Sequence, residues 1–265
     1  MMNIFSHTFL KNFFSEIYTL LTQKDEKVTE IWLEIPEITS IKQTNNYELK
    51  YFLDQFESIT IRKGNYINYI VIDKILFLIE SFKFLNLDIQ KLSNLLDFNG
   101  FETLIKQILI KNGYNVTNNF RFTDKTDFKL NTKQNRYEID VIGIVDSQIL
   151  IIDAKQWKRK DSYSAINKAA NLQLRRALAL QKNIEIFSYL ISNLLGKYNS
   201  IKSKLPFTLI PVMVTLEDNS IRINENNIPL VGIYYFNSFL QELKINLPYF
   251  NILKVNKILI QKKLL

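Results

Sequence analysis

The sequence has no cysteine and a single histidine, His7. The first absence excludes disulfides, thiolate metal sites, iron–sulfur clusters and cysteine nucleophiles together. The second argues against a histidine-built metal site, a Ser-His triad and a His-Asn-His nuclease site. Glycine and proline are also scarce, at 6 and 5 of 265 residues, which argues against a disordered or fibrous chain. The apolar stretch YINYIVIDKILFLIESF (66–82) carries Asp73, Lys74 and Glu80, so it does not suit a membrane span. The opening MMNIFSHTFLKNFF lacks a basic start and a small-residue cleavage site, the pattern expected without a secretory signal. The expectation is a soluble, cytoplasmic protein with no membrane partner.

Hydrophobic residues make up 47% of the chain and the formal net charge is +8. The first figure allows a sizeable core; the second suits an acidic partner, with nucleic acid the default and ordinary surface solvation the plainer alternative. The excess is local. Residues 121–182 hold thirteen Lys/Arg against seven Asp/Glu, a balance of +6, which leaves +2 for the other 203 residues.

Residues 1–95 predict a mainly helical α+β domain. They read as a helix over 1–30, possible strands at IWLEIPEI and SITIRKGNY, and a helix from Tyr66. That helix rests on the spacing of Ile67, Ile70, Val71, Ile75, Leu78, Ile79 and Phe82. A short helix, DIQKLSNLLDF, follows. The domain's expected role is target recognition or homodimer formation, a packed helical support being the simpler reading. Asn99-Gly100 is the punctuation that places a boundary near residue 96.

Residues 96–265 read more cleanly. FETLIKQILIKNGYNV predicts a helix with Phe101, Leu104, Ile105, Ile108 and Leu109 inward, Lys111 near its C-terminus and Gly113 as its C-cap. YEIDVIGIV and QILIIDAK predict two strands joined at Asp146-Ser147. SAINKAANLQLRRALALQKN predicts a helix, FTLIPVMVTL and PLVGIYYF two more buried strands, and NSFLQELK the start of a last helix. This order predicts an α/β core with a mixed sheet.

A two-residue turn at Asp146-Ser147 pairs Val145 with Gln148 and Ile144 with Ile149. Continued, the register sets Asp140 opposite Asp153 and Glu138 opposite Lys155. Side chains alternate along a strand, so Glu138, Asp140, Asp153 and Lys155 share one face, with Ile139, Val141, Ile152 and Ala154 on the other. A longer loop or a bulge at Gly143 would alter the pairing but not the shared face. Two facing carboxylates repel unless a cation joins them. Mg²⁺ takes carboxylate oxygens and keeps several waters, so the pair has the chemistry of a divalent-ion site. Lys155 stands beside it, able to orient or activate a water. A surface strand pair with alternating charge is the alternative, but ILII and VIGIV are too apolar for two exposed strands.

Asp140, twelve intervening residues, then Asp153-Ala154-Lys155 resembles the D-x(n)-(D/E)-x-K core of the PD-(D/E)xK nuclease superfamily. Glu102 on the preceding helix, and the wording FETLIKQILIKNGYNV, resemble its Holliday-junction resolvase and Mrr-type restriction branches. The resemblance covers about residues 98–182. It implies a restriction-endonuclease-like core, a mixed central sheet flanked by helices. It also implies a DNA endonuclease using Mg²⁺ or Mn²⁺. Asp140 and Asp153 would bind the metal, with the Ala154 carbonyl as a further ligand. Lys155 would position the water, and Glu102 would complete the acidic cluster. Asp153 stands where Glu is commoner in that family. Gln173 is followed four residues on by Ala177, so the Q-x-x-x-Y exonuclease branch fits poorly.

Lys158, Arg159 and Lys160 suit phosphate contacts, whereas Trp157 suits core packing. Arg175 and Arg136 are further candidates to meet the nucleic acid; of Arg175 and Arg176, one is expected to be merely solvated. Glu138, Gln156 and Gln173 are candidates to support the site from behind. GIY at 232–234 reads as core strand. Two alternatives stay open: a non-catalytic nucleic-acid-binding protein on a nuclease-like fold, and an RNA-cleaving relative.

Overall fold

The computed structural model describes residues 5–23, 28–86, 92, 95–123, 136–156, 163–196, 201–216 and 221–259. The chain divides into two compact units, Met1–Gln107 and Ile108–Leu265.

In the first unit, helix α1 (His7–Leu21) is capped by Ser6, whose hydroxyl accepts from the Phe9 amide at 3.1 Å. It buries Leu10, Phe13, Phe14, Ile17 and Leu21, a stripe at helical spacing. Strands β1 (Glu30–Glu34), β2 (Ile59–Lys63) and β3 (Asn68–Asp73) form an antiparallel sheet in the order β1-β3-β2. Helix α2 (Asn46–Leu53) precedes β2, and α3 (Lys74–Ser81) follows β3 directly. The helix expected from Tyr66 therefore starts only at Lys74. Residues 68–73 are the central strand, hydrogen-bonded on both sides. The spacing of Ile70, Val71 and Ile75 fits a helix, but the run Ile70-Val71-Ile72 favours a strand once two partners flank it. Asp73 then caps α3 by accepting from the Leu76 amide at 2.8 Å. Most of the expected DIQKLSNLLDF helix lies outside the described residues.

Helix α4 (Phe98–Lys111) spans the division between the units. Phe101, Leu104, Ile105, Ile108 and Leu109 are all buried, and Gly113 follows at φ +81°, the left-handed turn expected after a helix. The second unit is a mixed sheet with helices against it. Strands β4 (Asn115–Thr123), β5 (Arg136–Val145), β6 (Gln148–Lys155), β7 (Phe207–Thr215) and β8 (Leu230–Gly232) lie side by side in that order. The β4–β5–β6 steps are antiparallel and the β6–β7–β8 steps parallel. Strand β9 (Leu253–Val255) pairs antiparallel with the start of β7, at the opposite end from β8. Helices α5 (Tyr163–Lys182) and α6 (Ile184–Leu195) form the connection between β6 and β7, and α7 (Ile233–Asn246) follows β8.

The structure corrects two readings here. PLVGIYYF is a strand only to Gly232; Ile233, Phe236, Leu240 and Leu243 are buried along α7, so apolar residues read as strand, including GIY, open a helix. Strands β4 and β9 and helix α6 were not anticipated. Gly143 is no bulge. It pairs in register with Val116 and Leu150, and an added Cβ would come within 3.0 Å of a Leu109 methyl, so α4 packs on bare backbone there.

Candidate active site

The β5–β6 hairpin turns at Asp146-Ser147, with Asp146 at φ +52°. Its register runs from Val145–Gln148 to Val141–Ile152, the pairing a two-residue turn requires. Near the turn, Ile142, Ile144, Ile149 and Ile151 join one core with Ala177 and Leu180 of α5 and Phe187, Leu190 and Ile191 of α6. Alternation along β6 carries that same face to Asp153 and Lys155. On β5 the core takes Ile139 as well as Ile142 and Ile144, so strict alternation lapses around Asp140 and Ile139 is not on the opposite face, where it was expected. Helix α5 follows suit: Ala177 and Leu180 belong to the apolar core, while Gln173 and Arg176, one turn earlier, meet the charged end.

Asp140 sits where the sheet's regularity breaks. The β5–β6 ladder ends one residue before it. On the other side Asn119, the β4 residue across from it, takes φ +54° and drops out of the β4–β5 register. Released from its ladder partner, the Ala154 amide instead donates to Asp140 Oδ2 at 2.8 Å. Burial pushes the Asp140 carboxyl above its ordinary value, and the Asp153 charge adds to this; the Ala154 amide, Lys155 and Arg176 offset it in part.

Asp153 is 1% exposed. Its Oδ1 accepts from Lys155 Nζ at 3.0 Å and from Arg176 Nη1 in a short contact. Oδ2 also lies 3.0 Å from Lys155 Nζ, but it accepts no hydrogen bond and is buried. The ammonium thus stands equally close to both carboxylate oxygens. Gln173, wholly buried, anchors the group: its amide donates to the Ile151 carbonyl at 2.6 Å, and its oxygen accepts from Arg176 at 3.0 Å.

The expected site residues thus fall into several groups. Asp140, Asp153, Ala154, Lys155 and Gln173 come together. Glu138 is drawn off: it stands opposite Arg121 on β4 and binds its guanidinium at 2.8 Å, so the expected Glu138–Lys155 pairing gives way to an exposed β4–β5 pair. Gln156 is buried just past β6. Arg175 and Arg136 are exposed. Glu102 is half-buried on α4. Trp157, Lys158, Arg159 and Lys160 lie outside the described residues. Sequence reasoning did not single out Arg176 or Asn119. Arg176 was detectable: Gln173, Ala177 and Leu180 define the inner face of α5, and 176 flanks it at i+3 from Gln173. Nothing in NVTNNFRFT marks Asn119 beyond asparagine's tolerance of positive φ.

A divalent ion fits the chemistry of the donor set: Asp153 Oδ2 is buried outside any hydrogen bond and meets only the Lys155 ammonium, at 3.0 Å, and carboxylate oxygens are the ligands Mg²⁺ prefers. Asp140, its charge disfavoured by the same surroundings, is the natural second ligand. Among the described residues no three His, Cys, Asp or Glu side chains group together as a metal cluster. Two carboxylates with water are sufficient for Mg²⁺.

The chain matches no protein-family profile and no curated protein. Among solved structures it is loosely similar to protein VC1899 from Vibrio cholerae, with 14% identity and a TM-score of 0.28, over 92% of this chain and 56% of that one. The chain thus spans little more than half of that protein's length, and so loose a likeness carries no argument about fold or function. Among the described residues no helix is long and apolar enough to cross a membrane.

Proposed function

We propose that this protein is a metal-dependent DNA endonuclease with a restriction-endonuclease-like core, hydrolysing phosphodiester bonds at the open end of the β5–β6 hairpin. The observation that carries this reading is the pair of neighbouring carboxylates, Asp140 and Asp153, the second buried at the end of an apolar strand with the Lys155 ammonium beside it. The resemblance of Asp140, Asp153-Ala154-Lys155 to the PD-(D/E)xK core supports it, as does the basic excess over residues 121–182.

Asp140 and Asp153 would hold Mg²⁺ or Mn²⁺, with the Ala154 carbonyl as a candidate further ligand and Glu102 completing the acidic set. The ion would supply Lewis-acid stabilisation of charge on the phosphate and a lowered water pKa. The chain's own groups do the positioning. Lys155, its side chain 31% exposed, reaches from the buried acid toward solvent, placed to orient a water or a phosphate oxygen. Gln173 fixes Arg176, and Arg176 fixes Asp153. Lys158, Arg159, Lys160, Arg175 and Arg136 would engage the DNA backbone, and the first unit would contribute target recognition or dimerisation.

A second reading, a nucleic-acid-binding protein without catalysis, is favoured by one feature: Asp153 already carries two cations from its own chain. The deciding experiment offers labelled linear duplex, four-way junction, flap and single-stranded DNA, and matching RNA, with Mg²⁺, Mn²⁺ or EDTA. Metal-dependent DNA cuts that vanish in Asp153→Ala and Lys155→Ala establish the endonuclease. Cuts in RNA alone assign the RNA-cleaving relative. Binding without cleavage assigns the binding protein.

A further inference from the structure

A well-formed cleft of the second unit lies away from the acid pair. It has a volume of about 460 Å³ and lies between β8, α7 and the chain on either side of them. Along α7, Tyr235, Ser238, Phe239, Glu242 and Asn246 line it, a stripe at helical spacing. Arg222 faces this stripe from the segment before β8, and Tyr249 and Phe250 close the far side.

Its chemistry is specific. Arg222 holds its guanidinium over the Tyr235 ring, 5.1 Å from the centroid, so a flat cation and a flat ring are already stacked. Tyr235 and Tyr249 remain 45% and 67% exposed, although large aromatic rings are usually covered. Phe239 and Phe250 add rings 5.8 Å apart. Among these rings stand a carboxylate, Glu242, and an amide, Asn246. Aromatic faces stack on bases, a carboxylate accepts from an exocyclic amine and a guanidinium meets phosphate.

The walls are braced. Asn224, 4% exposed, donates to Asn167 and Asn171 of α5 at 3.0 Å each, and its oxygen accepts from the amides of Asn226 and Ile228. This pins the segment that bears Arg222. Next to Phe250, the Asn251 amide donates to the Asn227 carbonyl at 2.9 Å. Such rigidity is what a preformed ligand pocket needs. The placement also fits the chemistry next door. Lys155 pairs with Thr215, and Thr215 with Gly232 at the cleft. Two strand spacings, about 10 Å, therefore separate the Lys155 backbone from the cleft's edge.

We infer that this cleft binds a single nucleobase with its attached phosphate, the base stacking among the tyrosines with its amine toward Glu242 and the phosphate toward Arg222. An unpaired base of a nucleic-acid strand and a free nucleotide share this chemistry. The strand source rests on the nucleic-acid reading above; the nucleotide source does not.

The test titrates the full chain with dAMP, dGMP, dCMP and TMP by saturation-transfer NMR, with deoxyribose 5-phosphate as the baseless control. The same is done on Tyr235→Leu and Glu242→Gln, exposed positions whose melting temperatures check the fold. Base protons should receive saturation, the control should not bind, and Tyr235→Leu should weaken binding about tenfold, the scale of a lost stacking partner. Glu242→Gln should erode the preference for amino-bearing bases over TMP. Single-stranded DNA with and without one abasic site then separates the sources: a strand base is indicated if Tyr235→Leu weakens only the intact strand, a free nucleotide if strand binding does not change. No mononucleotide binding above the control, or binding untouched by both substitutions, overturns the inference. Loss of cleavage in Asp153→Ala bears only on the nuclease reading.

Discussion

Glu80 in the first unit and Asp153 in the second are both buried carboxylates, 8% and 1% exposed, yet their surroundings differ. Glu80 has both oxygens occupied by neutral donors: the Glu57 amide at 3.0 Å and the Ser58 hydroxyl at 2.5 Å. Asp153 has two cations rather than neutral donors: Arg176 and Lys155 on Oδ1, with the same Lys155 ammonium 3.0 Å from Oδ2, and a second carboxylate, Asp140, stands beside it. Glu80 ties the end of α3 to the chain just before β2, which a saturated carboxylate does well. Asp153 is held in position but left with coordinating capacity, an arrangement that serves a ligand better than it serves the fold.

The comparison can be tested by breaking each side. The largest effect is expected at the unsaturated acid: Lys155→Ala and Asp153→Asn should each lower metal-dependent cleavage by about 10²-fold or more, with the circular dichroism spectrum unchanged. At the saturated acid the loss should appear in stability. Glu80→Ala strands a buried hydroxyl and an amide, costing about 2–4 kcal/mol in urea unfolding, with cleavage per folded molecule unchanged. Glu80→Gln, which keeps one acceptor, should recover part of that.

Arg176→Met removes a cation from Asp153 and should tighten Mn²⁺ binding about tenfold by titration calorimetry, since a like charge beside the ion is gone. The smallest effect is at Asp140. Its carboxyl is raised above its unfolded value, so the folded state binds the proton more tightly and stability falls as pH rises through that window. Asp140→Asn, which still accepts from Ala154, should therefore raise the melting temperature at neutral pH, and the gain should vanish on acidification below the unfolded carboxyl's pKa. A gain that persists at low pH would contradict the assigned cause.

The hairpin was legible because alternation and a two-residue turn leave little freedom: once Asp146-Ser147 is the turn, the register to Val141–Ile152 follows, and with it the face shared by Asp153 and Lys155; the break in alternation on β5 around Asp140 was not legible. Helix α4 was legible for the same reason at a period of 3.6, down to Gly113. The misreadings come from apolar runs without a decisive period. Ile70-Val71-Ile72 became a strand because two neighbours offered backbone partners, and Ile233-Tyr234-Tyr235-Phe236 became helix after Gly232. Strand β4 is polar and lies at the sheet's edge, so its sequence carries little hydrophobic signal. The site's cation, Arg176, depends on which of two adjacent arginines a helix turns inward, and Arg175 is the one left in solvent.

The most direct test of the account titrates Mn²⁺ into the wild-type chain and into the Asp140→Asn/Asp153→Asn double variant, following bound ion by electron paramagnetic resonance. One ion per wild-type chain, lost in the double variant, is the result predicted for a site built on these two carboxylates. No binding to the wild type, or equal binding to both, would contradict it and leave Asp153 as a buried ion-pair anchor.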